Sequence, residues 1–329
     1  MLRLFLIGLA LFGLPALQAA EGTSGELVSA DADSGELAAL PWLVRMEHAL
    51  NHANFQLSMV QMQRDQIRSL RYLHGVMPEG QVALLEHLNG PVKNAIRIHN
   101  TVAFLEHDVQ PYSVRSDRIP GLFPGVFAGG INGLEAHYRF VEGGRNRVAG
   151  RTAQLVRIVP ADQYRFQYRV WLDIDTALPL RVDTLDPDNT LLEQLLVIEL
   201  HQFDKAPPLL EELSQRSWPE VLEAPRSTFE LRWRFGWLPK GFTVTHYDQH
   251  RLLGLNEPVD YIALSDGLAE FSVYIGRAGR VDLPDGLTTS NGLAMATAQH
   301  GEVEVVAVGK VPLSALVNVV ENIYPAEQP

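Results

Sequence analysis

From Tyr164 to Ile174 the chain changes chemistry at every step. Tyr164, Phe166, Tyr168, Val170, Leu172 and Ile174 share one parity, and Arg165, Gln167, Arg169, Trp171 and Asp173 share the other. A period of two is the signature of a β-strand, whose side chains alternate between faces, and it is incompatible with a helix here. One face is therefore read as core and the other as facing water or a partner. Because a slip of one residue would mix polar with apolar along the whole pair, the pattern also restricts how neighbouring strands align. Setting Ile158 opposite Tyr164 brings Val156 against Phe166 and Arg157 against Arg165, two like charges in need of a counter-charge. In the next hairpin, Ile174 opposite Leu178 places Leu172 against Leu180, Val170 against Val182, Arg169 across from Asp183 and Trp171 beside Arg181 in a cation–π arrangement. From Arg139 to Arg181 there are eight arginines and four carboxylates, a local net of +4 in a chain whose formal net charge is −12. That contrast marks Arg151, Arg157, Arg165, Arg169, Trp171 and Arg181 as candidate ligand or partner contacts, since the guanidinium fork suits phosphate and carboxylate.

The first twenty residues read as a secretory signal peptide: Arg3, the apolar run Leu4 to Leu17, then Ala19 and Ala20. The remainder is expected to be exported and soluble. Removing Arg3 with the signal leaves 26 basic against 39 acidic residues, a net of −13, which argues against general affinity for nucleic acid. With no cysteine in the chain, a disulfide framework, a thiolate metal site, a cysteine nucleophile and a lipidated N-terminal Cys are all excluded.

At 329 residues the chain can form two domains, each with its own core. Residues 21 to 40 are expected to form a loose arm, and Pro41 to open a helix carrying Trp42, Leu43, Met46, Ala49 and Leu50 on its apolar stripe. Strands follow at Phe55 to Met62, Arg68 to Val76, Val82 to Leu88, Lys93 to His99 and Val102 to Glu106. With no helices between them, antiparallel pairing is expected. A turn-rich stretch from 117 to 135 precedes the arginine-bearing strands. The segment from Asp204 to Thr228 has four prolines framing a short helix and reads as an interdomain connection. Beyond it lie strands at Phe229 to Arg234, Thr243 to Asp248, Val259 to Leu264, Glu270 to Ile275 and Val303 to Val308, then an amphipathic helix from Leu313 to Asn322. The expected layout is a signal peptide at 1–20, an N-terminal domain at 21–206, a linker at 207–226 and a C-terminal domain at 227–329.

Motifs for covalent chemistry are absent: there is no G-x-S-x-G elbow, S-x-x-K, H-E-x-x-H or P-loop. His48 and His52 have the i, i+4 spacing of a metal-chelating pair but sit on the polar side of the expected helix, where a solvated face explains them. Asp173-Ile-Asp175 and Asp186-Pro-Asp188 lack the Gly and terminal Glu of a calcium loop and read as turns. The residues thus describe a two-domain exported binder with no expected cofactor or metal, rather than an enzyme.

One stretch, RVAGRTAQLVRIVPADQYRFQYRVWLDIDTALPLRVDTLDPDNTLLEQ at residues 147 to 194, resembles the RseB/MucB family of periplasmic regulators of the sigma-E envelope-stress response. Trp42 to Met46, Leu88-Asn89-Gly90-Pro91, Trp237 to Phe242, Leu264 to Leu268 and Val308 to Pro312 extend the resemblance through both domains, more loosely from Thr101 to Tyr138. The resemblance implies an α+β, mostly antiparallel fold: an N-terminal half-barrel over helices, like the lipoprotein carriers LolA and LppX, and a smaller β-rich C-terminal domain with a terminal helix. It implies a non-catalytic periplasmic regulator that binds the periplasmic part of a membrane-bound anti-sigma factor, of the RseA/MucA kind, and shields it from regulated proteolysis until lipopolysaccharide or a related lipid releases it. A periplasmic lipid or lipoprotein carrier is the alternative, because fold does not dictate function. Whether the chain forms a homodimer is left open.

Overall fold

The computed structural model describes residues 31–64, 66–221, 231–250, 258–278 and 284–326. The expected signal peptide and much of the expected arm lie outside these residues. The first element is the helix α1, Asp31–His52. It begins ten residues before Pro41, which therefore sits inside it. An interior proline costs roughly 3 kcal/mol by losing a backbone donor and crowding the preceding turn. The run Glu36-Leu-Ala-Ala-Leu40 favours helix, and Ala39, Leu43, Met46, Ala49 and Leu50 are buried along one stripe that continues across the proline.

Eleven strands make one antiparallel sheet: β1 Asn54–Gln63, β2 Gln66–Met77, β3 Gly80–His87, β4 Lys93–Ile98, β5 Thr101–Glu106, β6 Val109–Arg115, β7 Tyr138–Val148, β8 Arg151–Pro160, β9 Gln167–Asp173, β10 Pro179–Leu185 and β11 Leu191–Phe203. Their spatial order is β6-β5-β4-β3-β2-β1-β11-β10-β9-β8-β7, so each half is a meander and the two halves meet where β1 pairs with β11. β6 and β7 are the two end strands of this sheet. The sheet curls around α1, which contacts β7 and β8 near one edge and β2 in the other half. This is the expected half-barrel over helical structure, the concave side being completed by short 3-10 turns at Gly125–Ala128 and Ile131–Ala136 that bury Phe127, Ile131 and Leu134.

The alternation places Phe55, Leu57, Met59, Tyr138, Phe140, Val156, Ile158, Val170 and Val182 in this concave core. Part of the convex side is also covered. The helix α2, Pro208–Ser214, packs Leu210 and Leu213 onto Leu73, Val82, Leu84 and Ile96. The proline-framed segment is therefore docked on the sheet as far as Val221, which forms a parallel bridge to Ser113.

A separate smaller sheet follows, with order β13-β14-β15-β18-β17-β16: β13 Thr243–His250, β14 Val259–Ser265, β15 Glu270–Arg277, β16 Gly286–Thr288, β17 Ala294–His300 and β18 Val303–Gly309. One face is covered by α3, Leu313–Glu321, through Ala315, Leu316, Val319 and Val320. A short β12, Trp233–Phe235, pairs with β19, Ile323–Pro325. β6, β16, β17 and β19 were not expected from the sequence. The first carries Pro111, which weakens a strand signal and is tolerated at an edge.

Candidate functional site

The arginine-bearing strands form the β7–β10 end of the large sheet, and their alignment corrects one expectation. Ile158 lies opposite Tyr168, not Tyr164, so Arg157 faces Arg169 rather than Arg165. The difference is four residues, and parity is preserved. Residues 161–166 are a loop rather than a tight turn, held by the Asp162 carboxylate, which accepts from the backbone N–H of Tyr164 at 3.0 Å. In the next hairpin Arg169 opposes Asp183, Trp171 opposes Arg181 and Val170 opposes Val182, as expected. Leu172 meets Pro179 instead of Leu180, because the ladder shifts between Pro179 and Arg181.

The six candidate residues divide into three environments. Arg151 and Arg181 are paired. Arg151 donates to both oxygens of the buried Asp173 at 2.9 and 3.0 Å, and its pKa is raised by those hydrogen bonds. Arg181 donates to both oxygens of Asp183 at 2.8 and 2.6 Å and stacks 4.3 Å from the ring centroid of Trp171. Trp171 is itself buried and donates through Nε1 to Asn146 at 3.3 Å. Thus Asp183, although across from Arg169, is already engaged by Arg181 and by the Gln194 amide at 2.8 Å.

Arg157 and Arg169 are the second environment. Arg157 is exposed and has no ion-pair partner among the described residues; Arg169 has only a 3.3 Å bond to the Asn189 side chain. Arg139, exposed on β7 opposite Val159, adds a third unpaired cation on this convex face. Like charges directly across a ladder disfavour one another, so the Arg157/Arg169 pair is a standing attraction for an anion.

Arg165 is the third environment and leaves the candidate anion face altogether. Its side chain is 1% exposed, pointing into the junction between the two domains. Nε donates to Asp266 at 2.5 Å, and the terminal nitrogens are taken by Asp162 and by the backbone carbonyl of Lys240. Burial opposes its charge, but the hydrogen bonds it donates to Asp266 and Asp162 outweigh that and raise its pKa. Asp266 also accepts from the Tyr138 hydroxyl at 2.9 Å, while its other oxygen caps the backbone N–H groups of Leu268 and Ala269. Burial, reinforced by this carboxylate, pushes the Tyr138 phenol far above its ordinary pKa. Around the ion pair, Tyr164 meets Trp237 edge-on at 4.8 Å, Lys310 reaches Glu193 at 2.5 Å, and Asn291 bonds Gln63 at 3.3 Å. Gly241 has φ +93°, and a Cβ there would collide with the His137 imidazole, so only glycine permits this approach of the domains.

Asp266 and Tyr138 were missed from sequence. The Ser265-Asp266-Gly267 step signals a turn, but nothing local connects it to an arginine 101 residues away. His48 and His52 stack at 4.3 Å, yet among the described residues no group of three or more metal-ligating side chains exists. Asp173, half of one calcium-like fragment, is consumed by Arg151 and Thr176.

Under the half-barrel, Leu50, Tyr72, Arg97, Ile119, Leu122 and Phe123 line a cavity of about 40 Å³. Small-molecule sites commonly need about 300 Å³ or more, so this cavity is too small for an acyl chain. Burial raises the Tyr72 phenol to about 12 and lowers the pKa of Arg97.

Comparison with known proteins bears on all of this. The MucB/RseB N-terminal domain model matches residues 38–222 and the MucB/RseB C-terminal domain model matches residues 227–324. The sigma-E factor regulatory protein RseB of Haemophilus influenzae is 31% identical over 299 residues, 90% of this chain and 94% of the relative. The sigma factor AlgU regulatory protein MucB of Pseudomonas aeruginosa is 27% identical over 98% of this chain and 96% of its own length. Among solved structures, the Pseudomonas aeruginosa MucA/MucB complex superposes with a TM-score of 0.70 at 26% identity, covering 88% of this chain and 100% of that one. A crystal structure of MucB gives 0.60 at the same identity, covering 89% and 99%. With both domains matched in order along its length, the chain belongs to the MucB/RseB family.

Proposed function

We propose that this chain is a periplasmic negative regulator that holds the periplasmic part of a membrane-bound anti-sigma factor, shields it from regulated proteolysis, and is released by lipopolysaccharide or a related anionic lipid. The observation that carries the reading is the match along both domains to MucB solved in complex with MucA. Inhibition is by occlusion and needs no catalytic group, in keeping with relatives named as regulatory proteins. A ligand can release the partner only through different affinity for the free and bound forms. The Arg157/Arg169 pair with Arg139 is the anion-accepting surface in this scheme, replacing the Arg157/Arg165 pairing suggested by the sequence.

The carrier alternative shares the half-barrel, and the match of both domains to the MucB/RseB family models favours the regulator over it. The test is a pull-down of the mature protein with the periplasmic segment of its anti-sigma factor, repeated with lipopolysaccharide. Retention without lipid and release with it are expected. No retention at any concentration would overturn the regulator reading, and retention unaffected by lipid would remove the release step.

A further inference from the structure

Alternation should keep charge off the concave side of a sheet, and Arg97 on β4 breaks that rule. The row it belongs to crosses five strands as Phe55, His74, Ala83, Arg97 and Val102. Phe55, Ala83 and Val102 are core. His74 is buried and its pKa is lowered, chiefly by that burial, so at pH 7 it carries no charge. Arg97 spends Nε on the His99 carbonyl at 2.8 Å. Among the described residues its terminal nitrogens have no acceptor and no carboxylate pairs with it. A partly buried cation without a counter-ion is costly, and burial lowers the pKa of Arg97 accordingly.

Arg97 lines the cavity under the half-barrel together with Tyr72 and Arg118. Arg118 comes from the loop after β6 and is half exposed, with Nε 3.3 Å from the exposed Asp117 carboxylate. Its guanidinium packs against Gly125 so closely that a Cβ there would collide with Nη1 and Cζ, so glycine is what lets this arginine reach the cavity. The Tyr72 hydroxyl has no partner among the described residues, and with its pKa pushed up to about 12 by burial it keeps its proton and can donate. Three donor groups, from β2, β4 and a loop, thus line a space of about 40 Å³, room for about three waters. The remaining wall is apolar, formed by Leu50, Ile119, Leu122 and Phe123. Two guanidinium groups against the single Asp117 carboxylate leave the cavity electropositive.

We propose that this cavity binds a phosphate group, held by Arg97, Arg118 and the Tyr72 hydroxyl. A carboxylate presents two oxygens in one plane, whereas a phosphate presents oxygens to all three donors and its second charge engages both guanidinium groups. The space admits the phosphate but not a chain attached to it, so a phosphate ester leaves its alcohol part outside, past the exposed Arg118. The site is on the concave side of the sheet, apart from the convex Arg157/Arg169 face on β8 and β9. It stands without the regulator reading, because no partner protein contributes to it.

Titration calorimetry on the mature protein tests this with inorganic phosphate, glycerol phosphate, and phosphatidic acid in phosphatidylcholine vesicles. Saturable binding of a phosphate probe is expected, with acetate binding far more weakly. Arg97→Gln should weaken it at least about tenfold, the scale of lost charge-assisted hydrogen bonds. Gly125→Ala keeps every charge but pushes the Arg118 guanidinium aside, and should weaken binding by a smaller factor. Arg118→Gln alters a half-exposed side chain and keeps the test decisive if Arg97→Gln does not fold. Arg157→Gln with Arg169→Gln should leave the affinity unchanged. Binding of the soluble probes alone would make the source a free phosphate, whereas vesicle binding that falls with Arg97→Gln would make it a lipid head group. Failure of the wild-type protein to bind all three probes, equal affinity in the Arg97→Gln and Arg118→Gln variants, or acetate bound as tightly as phosphate would overturn the proposal.

Discussion

Replacing Arg165 by Met is expected to uncouple the two domains without unfolding either. The side chain is buried between Asp162 and Asp266, and Met conserves most of its apolar stem while removing the charge. Breaking a buried ion pair by deleting one partner costs about 3–5 kcal/mol, mostly from the charge left behind. Here the abandoned Asp266 carboxylate is fully buried but keeps three donors: the Tyr138 hydroxyl and the backbone N–H groups of Leu268 and Ala269. The estimate therefore falls at the lower end, about 3 kcal/mol, or about a hundredfold in the docking equilibrium. Each domain has its own apolar core, so calorimetry should resolve one coupled transition into two, and small-angle scattering should report a larger radius of gyration. The double variant Arg165→Met with Asp266→Asn removes the fully buried charge, leaving only the partly exposed Asp162 carboxylate without its cation, and should recover part of the loss, a coupling of about 1–2 kcal/mol. Single-variant melting and scattering identical to wild type, or a double variant worse than the sum of the two, would refute the assignment of Arg165 as the junction's ionic anchor.

Arg157→Glu with Arg169→Glu should weaken lipopolysaccharide binding by about tenfold or more at low salt, with unchanged circular dichroism, since both side chains reach solvent and neither holds a carboxylate partner; equal binding by titration calorimetry would count against the anion face. Leu210→Ala should cost about 2–5 kcal/mol by opening a cavity between α2 and the convex face and should speed proteolysis within residues 207–221; unchanged cleavage would mean that α2 is not what holds the connection. His74 is buried, with Nδ1 donating to the Ala53 carbonyl at 2.7 Å and Nε2 without a partner, and burial lowers its pKa from 6.5. The unfolded chain then takes up the proton first as pH falls, so this contribution is complete above about 6.5 and is lost progressively below it. His74→Phe should flatten the decline in melting temperature from pH 7 to 5, and an unaltered slope would remove His74 as its cause.

Much of the fold was legible because alternation is a local property: Phe55, Leu57 and Met59 declare the concave face of β1 without reference to anything distant. The β8–β9 register was not, since Ile158 can face Tyr164 or Tyr168 with the same parity and only the length of the 161–166 loop decides. The start of α1 was misjudged because proline usually marks a helix opening, whereas burial of Ala39 ahead of it extends the helix backwards. For the site, the Arg169/Asp183 and Trp171/Arg181 oppositions follow from one hairpin and were readable. Arg165 shows the limit. Its alternating position suggested a solvated strand face, but it lies just before β9, where the loop turns it inward to a carboxylate on another domain. Long-range ionic pairing leaves no periodic trace.

The most direct measurement is the rate at which the first regulated protease cuts the periplasmic segment of the anti-sigma factor, with and without a stoichiometric excess of this protein. Occlusion requires cleavage to slow in proportion to the bound fraction and to recover when lipopolysaccharide is added. Binding that leaves the cleavage rate unchanged would contradict it.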